Sequence, residues 1–184
     1  SNNLLVAFLG HQDAATISGV TSGWTALQSS ESNTVGNHGG GVWWKISDGS
    51  ETAFGCTISG ANKQWSLVVF EFTGNATSSP IDGSADDETN VATAAQTIYS
   101  GSATPTQNGL ALALFTPRDD RFFDAAETYS NSFTELLDRR GVGATTRPGM
   151  RAATLAYTDT SAKSCTVTTT DTGDQNYGIL LLIK

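Results

Sequence analysis

At 184 residues the chain is long enough for a single domain that buries roughly 70% of the surface its unfolded form would expose. Charged residues make up only 15%, glycine, serine and threonine are abundant, and the apolar residues come in short runs, which excludes long helices and favours an all-β fold with many turns. The formal net charge of −8 repels phosphate backbones and anionic lipid, setting nucleic acid and membrane aside as partners, and the longest apolar segment, Gly178 to Ile183, is too short to cross a bilayer.

The opening "SNNLLVAF" has neither a methionine nor a basic n-region, so a signal peptide is expected to be absent or already removed. Short β segments are then expected at about 3–10, 24–29, 41–47, 53–59 and 64–73. Residues 74–108, beginning "GNATSSPIDGSADDETN", have the serine, proline, glycine and acid content of a long surface crossover. Five more segments follow at 109–116, 133–138, 151–157, 163–169 and 176–184.

The second five resemble the first. "NLLVAF" from Asn3 matches "GLALALF" from Gly109, "WTAL" from Trp24 matches "FTEL" from Phe133, "CTIS" from Cys56 matches "CTVT" from Cys165, and "WSLVVFEF" from Trp65 matches "YGILLLIK" from Tyr177. One constant offset links Trp24 to Phe133, Leu27 to Leu136, Ile46 to Leu155, Cys56 to Cys165 and Ile58 to Val167 without a gap. Half-repeats of about 3–73 and 109–184 must bury their apolar faces against each other, which predicts one domain: a two-sheet antiparallel β-sandwich of jelly-roll type with an internal two-fold duplication. A closed barrel is the alternative.

Alternation sends Val42, Trp44 and Ile46 to one face and Trp43 and Lys45 to the other. The constant offset gives the first set the counterparts Arg151, Ala153 and Leu155, which assigns Trp44 to the core. Trp43 then points outward and needs a covering loop, a neighbouring subunit or a ligand, while the glycines before it let the chain bend closely into the strand. The last strand of each half is apolar on both parities, as expected of a mid-sheet strand or one that presents a face to another subunit. All six arginines (Arg118, Arg121, Arg139, Arg140, Arg147 and Arg151) fall in one stretch with neutralising acids, a pattern shared by contact regions and solvated loops. The candidate interface therefore comprises Trp43, Lys45, Arg118, Arg121, Phe122, Phe123, Arg139, Arg140 and Arg147.

Cys56 and Cys165 both read as core-facing, either as two small hydrophobes or as a disulfide across the duplication axis. His11 and His38 lack ligand neighbours at zinc spacing, and the acids Asp82, Asp86, Asp87 and Glu88 lack the ligand order of an EF-hand, so no metal or cofactor is expected. Asn75-Ala76-Thr77 is a glycosylation sequon. There is no G-x-S-x-G elbow, no phosphate-binding glycine loop, and only Glu71 as an interior strand acid, which does not make a carboxylate pair. No enzyme is expected.

The order "NLLVAFLG", "GWTAL", "GGGVWWKISDGSET", "QWSLVVFEFTG" and a closing "YGILLLIK" resembles a β-sandwich family of tailed-phage virion proteins and related prophage or bacterial surface proteins. Members open on G-D-L-L-V-A, follow with G-W-T, then an aromatic-aromatic-Lys strand running into an acidic turn. Here the opening G-D is Asn2-Asn3, and the strand that usually precedes it is absent, which implies a trimmed product or a module that borrows an edge from a neighbour. The resemblance implies a non-enzymatic virion role, a capsid decoration or tail-associated protein that binds other virion proteins as a homo-oligomer or on a lattice. The alternative is a carbohydrate-binding or adhesion module, secreted or at the cell surface, that stacks surface glycan on Trp43 and loop aromatics such as Phe122, Phe123 and Tyr129.

Overall fold

In the computed structural model the chain is all-β, with antiparallel pairing throughout the described residues: 2–12, 16–32, 38–51, 53–60, 64–89, 97–117, 128–139, 148–168 and 176–184. Arg118, Arg121, Phe122, Phe123, Arg140 and Arg147 of the expected interface lie outside them.

The first main sheet runs in the order β3 (Thr25–Ser32), β4 (His38–Ile46), β1 (Leu4–Gln12), β6 (Trp65–Phe72). The second runs β11 (Thr134–Arg139), β12 (Met150–Tyr157), β9 (Gly109–Pro117), β14 (Asn176–Ile183), β7 (Ile81–Thr89). Between them lies a core of Leu4, Val6, Phe8 and Val42 from the first sheet against Leu112, Leu114, Met150, Ala152, Tyr177, Ile179, Leu181 and Ile183 from the second. Trp44 packs against that core, as alternation predicts.

Each sheet carries a smaller one on its outer face. A ribbon of β2 (Thr16–Ser18) and β5 (Thr57–Ser59) accompanies the first. A sheet of β10 (Thr128–Tyr129), β13 (Lys163–Thr168) and β8 (Thr97–Ala103) covers the second, closing a second core of Ile98, Ala111, Ala113, Phe115, Cys165, Val167, Leu180 and Leu182.

The strand order β3-β4-β1-β6 corresponds to β11-β12-β9-β14, and β2-β5 corresponds to β10-β13. Residue pairs correspond as well: Leu4 lies opposite Ile46 and Phe72, and Leu110 opposite Ala156 and Ile183. A bulge between Ala26 and Gln28 has its counterpart between Glu135 and Leu137.

Three sequence expectations are corrected by this arrangement. Residues 74–108 are not a loop: they hold β7 and β8, whose glycines, serines and acids mask strands that need few apolar side chains because neighbouring strands supply most of the core. The expected correspondence of Trp44 with Ala153 is off by one residue. Trp44 pairs with Thr25, and the matching pair is Thr154 with Thr134, so Val42 corresponds to Ala152, and Ala153 and Leu155 belong to the second core. Arg151 accordingly lies on the outer side of its sheet. Finally, Cys56 and Cys165 are unbonded. They sit on opposite outer sides of the sandwich, Cys56 half-buried beside β5 and Cys165 buried in the second core, so no disulfide can span them without taking the layers apart.

Candidate interaction surface

The aromatic pair behind the three glycines divides as alternation requires, but the outward tryptophan is covered by its own chain. Trp43 is 2% exposed, with its ring 5.4 Å from that of Phe54, which also meets Trp24 edge-on at 5.0 Å. Gly41 has a specific task here, because a Cβ at that position would stand 2.3 Å from Trp43 Cη2. The glycines thus let aromatic rings lie flat against the strand. Trp43 offers no face to a partner or a sugar.

Lys45 is committed to the turn that follows it. Its Nζ lies 2.9 Å from Glu51 Oε1 and 4.0 Å from Asp48 Oδ2. Glu51 also accepts from the Asp48 amide at 3.0 Å and from Ser47 Oγ at 2.8 Å, and with Lys45 these donors hold its carboxyl well below the usual carboxylate range.

Of the arginines, Arg151 is buried inside the chain, 3.3 Å from Asp138 Oδ1 and 3.7 Å from Glu135 Oε2, and it donates to the Tyr129 hydroxyl at 3.5 Å. Burial lowers its pKa to about 10 and raises that of Tyr129. Arg139 is exposed. Its pairing with Met150, a residue of the central core, puts it on the face of β11 turned toward the first sheet.

The acids of β7 are distributed along a strand. Asp82 accepts from the amide and hydroxyl of Thr106 at 2.5 and 2.6 Å, with Lys184 Nζ at 3.3 Å, whereas Asp86 accepts from Gln28 Nε2 at 3.2 Å. No group of three potential metal ligands occurs among the described residues. Asn75 of the sequon accepts from the Leu4 amide at 3.0 Å and so caps the start of β1. Glu71 accepts from Asn3 Nδ2 at 2.6 Å. A polar recess of about 390 Å³ beside the 158–164 turn holds Lys163 against Asp159 (2.6 Å), the Ser161 carbonyl (2.8 Å) and Ser161 Oγ (2.7 Å), so the Lys163 ammonium already has three acceptors.

What sequence reasoning missed is the outer face of β6. Trp65 and Val69 are 51% and 45% exposed, the former beside an apolar groove of about 250 Å³ lined by Leu9, Phe54, Cys56, Ile58 and Leu67. β6 is an edge strand, paired with β1 over eight residues with no bulge, no proline and one charged residue, Glu71. Other sheet edges are blunted: β3, β7 and β11 are bulged, and β7 is acidic. The signal was present in "WSLVVFEF", whose two-sided apolar pattern admits a face offered to another subunit.

No family model matches the chain, and no curated protein or solved structure matches it.

Proposed function

We propose that the chain is a non-enzymatic structural module of a virus particle, a capsid-decoration or tail-associated β-sandwich that holds its neighbours through an open sheet edge. One observation carries this reading: β6 leaves Trp65 and Val69 in water along a long, flat, unblunted edge, where a protein that acts alone would protect such a strand. The likeness of its strand motifs to tailed-phage virion proteins supports the particle setting, and the stacked sheets give the rigid body that such a role requires. The stacking platform of a glycan-binding module loses its leading residue, because Trp43 is buried.

The test is sedimentation of the source material through a density gradient, comparing the chain with its Trp65→Ser/Val69→Lys variant. The chain is expected to travel with a particle and the variant to remain at the top. A wild-type chain that stays at the top, and that light scattering shows to be a monomer without partners, contradicts the proposal.

A further inference from the structure

The two main sheets stack with β3 facing β7, as the Gln28–Asp86 hydrogen bond marks, β4 against β14, and β6 against β12. Four strands therefore face five. The fifth strand of the second sheet, β11, lies over a place beside β6 that no described strand occupies. Leu137 and Arg139 stand on the face of β11 that looks toward that place, and Leu136 beside them is 47% exposed.

In the second half, the equivalent place is filled. There β7 pairs along β14 and β8 pairs along β13, so one segment, Ile81–Ala103, extends the main sheet and the outer sheet together. The first half has the same two edges, β6 and β5, and the apolar groove lies between them with Cys56 and Trp65 on its walls. All eight residues of β14 are buried, whereas none of the eight of β6 is.

We infer that this groove seats an acidic β-hairpin supplied from outside residues 1–184, one strand adding antiparallel to β6 beneath β11 and the other closing over β5 and Cys56. The inference deepens the assembly reading and rests on it. The occupant's form follows from β7 and β8. Its charge follows from Arg139, which faces the vacant place, and from Asp82, Asp86 and Asp87 on the strand that fills the matching one. It differs from β7–β8 in one respect: Leu67 stands where the second half has Gly178, whose missing Cβ lets the Tyr99 carbonyl approach (a Cβ there would lie 2.0 Å from that oxygen). The closing strand is thus seated higher, or carries a small residue, at that level.

The probe is this chain's own hairpin. A second copy of residues 80–108 is joined ahead of Ser1 in the full chain, in both a Leu67 and a Leu67→Ala background, and Cys56 alkylation by iodoacetamide and Trp65 emission are followed. The expected result is a Cys56 rate at least about tenfold slower and a blue-shifted Trp65 in one or both backgrounds, reversed by Ile98→Asp in the added copy. An unchanged Cys56 rate and Trp65 emission in both backgrounds would overturn the inference. Dimerisation of the unextended chain, abolished by Val69→Lys in light scattering, would also overturn it by making a second copy the occupant, while leaving the assembly reading intact.

Discussion

β6 and β14 occupy matching positions in sheets of matching strand order, yet one is half in water and the other is sealed. Composition does not cause this, since "WSLVVFEF" and "NYGILLLI" are both apolar on two faces. The difference is the hairpin β7–β8, which supplies β14 with a neighbour and its outer face with a cover. A strand's burial is therefore decided by what the rest of the chain places beside it, and an apolar edge left without such a neighbour is where this fold has binding capacity to spare.

Substitution sharpens the contrast most strongly in the cores. Leu181→Ala on β14 removes a fully buried side chain and is expected to cost about 3–4 kcal/mol in urea unfolding, whereas Val69→Ala on β6 should stay within about 0.5 kcal/mol. Equal losses would mean that β6 is as covered as β14. Next in size is Gly41→Ala, which forces the Trp43 ring from its seat; a loss of roughly 1–3 kcal/mol with altered tryptophan fluorescence is expected.

The thiols give a pH-dependent version of the same comparison. Burial pushes Cys165 up to about 12 from an ordinary 9.0, so above pH 9 the unfolded chain sheds this proton while the folded chain keeps it. The stabilisation is complete below pH 9 and is lost as pH rises toward 12, and Cys165→Ala should flatten the stability curve in that window. At pH 8, Cys56 should react with iodoacetamide in the folded protein, and Cys165 only on unfolding. The smallest effect concerns the turn after β4. Lys45→Met removes a partner that holds the Glu51 carboxyl low, so stability contributed above the unfolded carboxylate pKa, and lost on acidification, should shrink slightly in acid titrations of unfolding.

The sequence reveals long strands wherever apolar residues alternate or run together, which is why β1, β6, β9 and β14 can be read from it directly. It hides β7 and β8, because a strand on an edge can be built from Asp, Ser, Gly and Thr when its neighbours provide the core. The one-residue slip in matching β4 to β12 has a similar origin: "RAATLA" has too little contrast between its two faces to set a register, and only pairing with β9 fixes it. Trp43 shows the complementary limit. Alternation sends it correctly to the outer face, but Phe54, eleven residues further along, covers it, and the tryptophan left in water is Trp65.

Amide hydrogen exchange on the isolated chain tests most directly whether the two halves differ in cover. With only β1 beside it, β6 should show alternate amides from Trp65 to Phe72 exchanging at nearly unprotected rates, while those of Asn176–Ile183, flanked by β9 and β7, are protected up to the global stability. Uniform protection of β6 at the level of β14 in a monomer would contradict the account.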